Sequence, residues 1–199
     1  MKELSKEVKE NRKPEYKINP LILNRWSARS IKDEEISDEE LMPLFEAAKW
    51  APSSRNGQPW RFIYSKKNTE YWDTFFDFLT DSNKMWCKNA PVLIVIISRK
   101  NFEQDNQFSR SHNFDTGAAW ENLALEATRI GLVAHPIGGF NVDKARRILE
   151  IPNDYEVEIM VAVGKRGEKE ALSESLQQRE FPNGRKPLKE IVMEGKFNI

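Results

Sequence analysis

Val92-Leu93-Ile94-Val95-Ile96-Ile97-Ser98 decides the fold. The run is apolar and mostly β-branched, with no polar residue at alternate positions until Ser98. A strand that faced water on one side would alternate, so this one reads as a central strand covered on both faces. The chain must then supply apolar elements for two layers. Upstream, Trp60–Ser65 is strand-like, and downstream Glu156–Val163 is apolar at alternate positions. Ser37 with Glu40 three residues on forms a capping box, followed by Leu41, Leu44, Phe45 and Ala48 at helical spacing. Further helices are expected over Glu70–Leu79, from Gly117 to Ile130 with Asp115 or Thr116 as cap and Gly131 as terminator, and from Asn141 to Leu149. The order of elements indicates an α+β or α/β layered domain. Residues 18–199 read as that single domain, and the charged residues 1–17, with Pro14 inside, read as a mobile arm.

With 199 residues the chain is long enough for one sizeable core. Lys+Arg and Asp+Glu are equal at 31 each, which gives no electrostatic case for nucleic acid or an anionic membrane as main partner. The six Trp and eleven Phe need a core, an interface or a flat ligand to cover them. The single cysteine, Cys87, excludes an internal disulfide and suits a reducing cytoplasm. Residues 1–11 lack the apolar stretch of a secretory signal, and the run at 91–97 is too short to span a bilayer.

Three loops carry candidate chemistry. Pro52-Ser53-Ser54-Arg55-Asn56-Gly57-Gln58-Pro59-Trp60 gathers hydroxyls, carboxamides, an arginine and a glycine between prolines. It presents many hydrogen-bonding groups on a stiffened backbone, or is simply a polar surface turn. Arg25 and Arg29 bracket Ser27, an arrangement that suits a phosphate dianion if it is more than a solvated basic patch. Arg185 joins them only if the chain's end returns. Pro136-Ile137-Gly138-Gly139 lets a flat ligand approach the backbone, or is a plain turn between helices. His112 and His135 have no partners in sequence that would make them catalytic bases, and Cys87 reads as a buried inert thiol. The polar segment 99–113, with Phe102 and Phe108, is long enough to be functional or mobile.

Taken in order, R-x-S-x-R, A-P-S-S-x-N-x-Q-P-W-R-F, Asn83 with Trp86 before Ala90-Pro91, P-I-G-G-F and R-K-P-L resemble the nitroreductase family of FMN-dependent oxidoreductases, from about Leu23 to Leu188. The resemblance implies a layered α+β fold with a central mixed sheet flanked by helices, in a homodimer that exchanges its tails. It implies FMN at the subunit interface and NAD(P)H as reductant. Arg25, Trp26, Ser27, Arg29 and Arg185 would hold the phosphate and ribityl chain. Pro52, Ser53, Ser54 and Asn56 would reach in from the other subunit. Asn83 would bond the pyrimidine edge, Pro136 and Ile137 would pack on one face, and the N–H of Gly138 or Gly139 would donate to flavin N5. Trp86, Phe108 and Phe114 are expected along the acceptor side. The sequence departs from well-known members at Gly138, acidic in some, and at Trp86, basic in some. The implied activity is ping-pong hydride transfer to nitroaromatics, quinones or similar acceptors. Reductive dehalogenation, flavin fragmentation and non-enzymatic flavin storage or redox sensing remain open beside it.

Overall fold

The structure is a computed structural model that describes residues 3–197. Its elements are α1 (Lys6–Asn11), α2 (Pro20–Asn24), α3 (Asp38–Lys49), β1 (Trp60–Lys66), α4 (Trp72–Phe78), α5 (Asp81–Cys87), β2 (Val92–Arg99), α6 (His112–Arg129), β3 (Leu132–Ile137), α7 (Val142–Ile148), β4 (Tyr155–Lys165) and α8 (Glu174–Gln177). The sheet order is β1-β2-β4-β3. Every pairing among the described residues is antiparallel, so the expected mixed sheet is corrected to an antiparallel one.

The central strand is as expected. On β2, Val92, Ile94 and Ile96 point into one apolar cluster, and Leu93, Val95 and Ile97 into the other. Against the first face lie α3 and α6, through Leu41, Leu44, Ala48, Ala119, Leu123 and Ala127. The second is covered by Trp72, Phe75 and Phe78 of α4, Trp86 and Cys87 of α5, and Ala145 of α7. Burying two faces of one strand is what lets a chain this polar hold a core.

The capping box of α3 is present in both directions: Glu40 N–H donates to Ser37 Oγ, and Ser37 N–H donates to the Glu40 carboxylate. Gly131, at φ +86°, follows the end of α6 in the left-handed conformation that glycine accepts most easily. That helix begins earlier than the sequence suggests, with Ser111 as its N-cap. Asp115 lies inside it, and its carboxylate accepts from Ser54 N–H and Ser111 Oγ instead of capping.

β3 stands where the sequence reads as a turn between helices. Its Pro136 is tolerated because β3 is an edge strand and needs no outward N–H bond. The N-terminal segment also differs from a loose arm. Ser5 caps α1, Val8 is fully buried, and Ser5 N–H donates to Asn24 Oδ1 at 2.9 Å. One buried valine and one capped turn are enough to seat a short helix that propensity alone would leave unformed.

Candidate flavin site

The loop after α2 carries Arg25, Trp26, Ser27 and Arg29, all half-buried. Its backbone is held from three sides. The Glu180 carboxylate, only 3% exposed, accepts from Arg29 N–H at 2.9 Å and Ser30 N–H at 2.9 Å, and pairs with Arg166 Nη1 at 2.7 Å. Arg166 lies over the Trp26 ring at 4.9 Å. The His135 ring, in β3, lies with Nδ1 3.0 Å from the Ala28 carbonyl. That contact makes Nδ1–H the donor, and burial holds the imidazole pKa down to about 4, so the ring is neutral at physiological pH. Sequence gave no hint of Glu180 or Arg166, whose partners lie far away along the chain.

The loop walls a polar cavity of ≈ 150 Å³. Five guanidiniums border it: Arg12, Arg25, Arg29, Arg179 and Arg185. Arg25 Nε lies 3.2 Å from Glu121 Oε1 as an ion pair without a hydrogen bond. Among the described residues, Arg12, Arg29, Arg179 and Arg185 have no carboxylate within 4.0 Å. So many cations around a small hollow, with so little compensation, suit a multiply charged anion such as a phosphate monoester. The open question about Arg185 is thereby answered: it reaches the pocket. It does so on its own chain, since Asn183 O accepts from Arg12 Nε at 3.0 Å and Leu188 N–H donates to Glu15 at 2.8 Å.

Beside the pocket, β3 runs out at Ile137 into Gly138 and Gly139. The Gly139 carbonyl accepts from Thr80 N–H at 3.1 Å and from Asn83 Nδ2 at 2.9 Å. A Cβ on Gly139 would stand 2.5 Å from Asn83 Nδ2, so this glycine permits the close approach of α5. Around Gly138 a Cβ would meet nothing within 4 Å. Neither N–H has an acceptor among the described residues, so both remain available to a ligand. Asn83 is a positioning group here, since its Oδ1 also accepts from Trp86 Nε1 at 3.1 Å. Trp86 itself is 4% exposed and packs on His135 with centroids 4.4 Å apart. Its expected place on the acceptor wall is therefore corrected: it is a core residue beneath the site.

The loop at 52–60 lies elsewhere. It leads into β1, at the opposite edge of the sheet from β3, three strand spacings or about 14 Å away. Arg55, Asn56 and Gln58 all have positive φ, of 53°, 53° and 45°. Strain of this kind persists only where neighbours impose it, and it concentrates at functional loops. The neighbours are visible: Ser54 N–H donates to Asp115, Gln58 N–H to Ser53 Oγ, and Arg55 pairs with Asp105 at 3.0 Å while lying over Phe102. Phe108 and Phe114, on the same side, are 64% and 82% exposed. Pro52, Ser54 and Asn56 are exposed as well. The chain thus brings Arg25, Trp26, Ser27, Arg29, Asn83, Pro136, Ile137, Gly138, Gly139 and Arg185 to the β3 edge. It leaves Pro52, Ser53, Ser54, Asn56, Phe108 and Phe114 at the β1 edge.

The description of the nitroreductase family matches residues 22–165. The chain belongs to this family. A solved structure described as an oxidoreductase containing FMN is 40% identical, covers 94% of this chain and 96% of its own, and superposes with a TM-score of 0.90. An FMN-dependent nitroreductase from Clostridium difficile R20291 is 29% identical, with 72% of this chain and 84% of that one covered and a TM-score of 0.61. Protein DrgA of Synechocystis is 28% identical over 178 residues, 72% of this chain and 82% of its own. A Polynucleobacter asymbioticus relative, provisionally named NADH dehydrogenase/NAD(P)H nitroreductase, is 25% identical over 168 residues, 75% of this chain and 85% of its own. No helix of this nitroreductase-family chain is long and apolar enough to cross a membrane among the described residues. No group of three or more His, Cys, Asp or Glu residues is placed to hold a metal there either.

Proposed function

We propose that this protein is an FMN-dependent oxidoreductase that takes hydride from NAD(P)H and passes it to nitroaromatic, quinone or similar electron-poor acceptors in a ping-pong cycle. The observation that carries the reading is the arginine-lined cavity, four of whose guanidiniums have no carboxylate within 4.0 Å among the described residues, next to the N–H groups of Gly138 and Gly139, which have no acceptor among those residues. The residues fit the cofactor. Arg25, Ser27, Arg29 and Arg185 would hold the phosphate. A hollow of ≈ 150 Å³ takes a phosphate and the start of the ribityl chain, so the ring system would lie outside it, over exposed Gly138 and against half-buried Pro136, with Ile137, 2% exposed, in the core behind them. When bound, FMN supplies hydride acceptance and donation at N5.

The protein's own part is positional. The Gly138 or Gly139 N–H would donate toward N5, and Asn83 holds that loop in place through the Gly139 carbonyl. His135, neutral and bonded to the backbone, holds the phosphate loop and moves no proton. In one chain the flavin's outer face would be bare. A second copy presenting Pro52, Ser53, Ser54 and Asn56 would cover it, with Phe108 and Phe114 bordering the acceptor space. The exposure of Tyr16 at 71%, Ile191 at 56% and Phe114 at 82% supports such a homodimer. A single buried, reduced Cys87 suits a cytoplasmic setting.

The test is the purified protein's flavin content and its anaerobic reduction. FMN should bind, and NADH or NADPH should bleach it quickly. Arg25→Ala or Arg29→Ala should each weaken FMN by roughly 1.5–3 kcal/mol, the scale of a hydrogen bond to a charged group. A protein that ignores FMN would overturn the reading. One that binds FMN but is not reduced by either nucleotide would be a flavin store.

A further inference from the structure

Arg12 lies ten residues before the family-matched part of the chain begins at residue 22. Nothing in the R-x-S-x-R pattern anticipates it. Its side chain nevertheless joins three segments around the anion pocket. Nη1 donates to the Leu23 carbonyl at 2.6 Å and to the Arg25 carbonyl at 2.8 Å, and Nε donates to the Asn183 carbonyl at 3.0 Å. Each of these acceptors flanks a guanidinium of the site: Arg25 itself, and Arg185 two residues past Asn183. Nη2 has no partner among the described residues, and the side chain borders the cavity. The segment carrying it is tied down at both ends. Ser5 N–H donates to Asn24 Oδ1 before it, and Glu15 accepts from Leu188 N–H after it.

We propose that Arg12 is a further phosphate-binding residue of the flavin site, and that the segment from Ser5 to Glu15 is a strap that closes over the bound phosphate. Three backbone carbonyls orient the guanidinium, and this leaves the Nη2 edge to meet a phosphate oxygen. The electrostatics agree. Burial first, and then the proximity of Arg185 and Arg25, hold the Arg12 pKa down to about 10. Like charges crowd one hollow, and a dianion placed there would relieve all of them together. The strap's hold on the chain and the phosphate's hold on the site are then linked: whatever binds the phosphate also secures the strap. This inference rests on the proposed flavin site, but its test separates the two.

The experiment compares FMN with riboflavin, which has the same ring and ribityl chain without the phosphate. Binding to the flavin-free protein is followed by quenching of flavin fluorescence, for the wild type, Arg12→Ala and Arg12→Lys. Arg12→Ala should weaken FMN roughly tenfold to a hundredfold and leave riboflavin within about twofold, as expected for one charge-assisted hydrogen bond lost. Arg12→Lys should recover part of the loss, because charge returns without the fork. FMN, and not riboflavin, should protect the wild type from tryptic cleavage after Lys9 and Arg12. Equal loss of FMN and riboflavin, or a flavin-free melting temperature that falls in step with affinity, would make Arg12 a structural clasp only and overturn the proposal. So would an unchanged FMN affinity in Arg12→Ala. A wild type that binds neither flavin fails at the first titration, and both readings fall together there.

Discussion

The two edges of the sheet are built on opposite plans. At the β3 edge, the loop at 25–30 has its backbone bonded and charged side chains left over: Glu180 and His135 fasten the loop, while Arg12, Arg29, Arg179 and Arg185 around it have no carboxylate within 4.0 Å among the described residues. At the β1 edge the side chains are matched, Arg55 to Asp105 and Arg61 to Glu103, and it is the backbone that is strained, with three positive φ values in four residues. One edge is short of a ligand's charge. The other holds a rigid, exposed shape with no surface to meet. A single chain cannot bring the two together, because the central strands lie between them. The proposed homodimer would bring them together, with a second copy whose β1 edge meets the first copy's β3 edge.

That comparison breaks most decisively in a complementation experiment. Arg25→Ala with Arg29→Ala should disable the β3 edge. Ser54→Trp should disable the β1 edge, because Ser54 is exposed in the chain and a large side chain there obstructs only what docks on it. Each variant alone should lose at least about a hundredfold in NAD(P)H-driven activity, or about 2.7 kcal/mol. Subunits exchanged between the two should recover about a quarter of wild-type activity, since about half the dimers are mixed and each mixed dimer has one intact site of two. A mixture that stays inactive would place the whole site within one chain.

His135 sharpens the comparison from the β3 side. Its pKa is depressed from 6.5 to about 4 in the fold. The unfolded chain therefore binds a proton that the folded chain refuses. The stability this contributes is full above pH 6.5 and is lost as pH falls from 6.5 towards 4, on the order of 3 kcal/mol. His135→Gln keeps an N–H donor for the Ala28 carbonyl and removes the titration. Its melting temperature should fall less than the wild type's between pH 7 and pH 4.5. Parallel curves for the two proteins would mean that the buried ring is not the source of the acid limb.

A smaller effect divides the two glycines. Gly139→Ala forces a Cβ against Asn83 Nδ2 and Thr80 Oγ1, at 2.5 and 3.2 Å. It should destabilise by about 1–3 kcal/mol, the scale of local overpacking. Gly138→Ala points into open space and should be neutral, or stabilising by about 0.4–1 kcal/mol through the unfolded chain. Thermal melts of the flavin-free variants measure both. Equal effects would show that α5 does not rest on Gly139.

Local signals carried much of the layout. The Val92–Ser98 run and the Ser37 capping box were legible because the period and cap that define them lie within a few residues. The loop that walls the arginine cavity could be singled out too, through Arg25, Ser27 and Arg29, and its role as a phosphate site is our proposal. What fixes that loop was not. Glu180 sits 151 positions from Arg29, and no spacing rule spans such a distance. β3 was hidden because Pro136 argues against a strand unless its edge position is already known. Trp86 was misplaced for a related reason, since an aromatic residue on a short helix does not announce which face the sheet will cover. Arg12 looked like one more charge in an arm.

The smallest effects should come from the chemically suggestive groups that the two-edge arrangement leaves out. Cys87 is fully buried on the α4–α5 side of the sheet, and burial pushes its thiol pKa up, which suppresses the reactive thiolate. His112 lies 2.7 Å from Ser98 Oγ through Nδ1, with Glu158 accepting from the same hydroxyl. The β4 irregularity opposite Ile96 and Ile97 leaves Glu158 as the extra residue, and so turns it towards this hydroxyl. The group looks like a relay, but it is closed in: Ser98 is 0% and His112 6% exposed, and Phe108 packs edge-on against the imidazole. Neither Cys87 nor His112 borders the arginine cavity. Cys87→Ala and His112→Ala should therefore each keep the rate of flavin reduction by saturating NAD(P)H within about tenfold, or about 1.4 kcal/mol of barrier. His112→Ala should still cost stability of about 1–3 kcal/mol, because it strands buried polar partners. Stopped-flow bleaching, after flavin occupancy is confirmed, reads the first effect, and thermal melts read the second. A thousandfold slower reduction in fully loaded His112→Ala would place a working acid or base at the Ser98–Glu158 cluster, and the two-edge arrangement would then leave out part of the site.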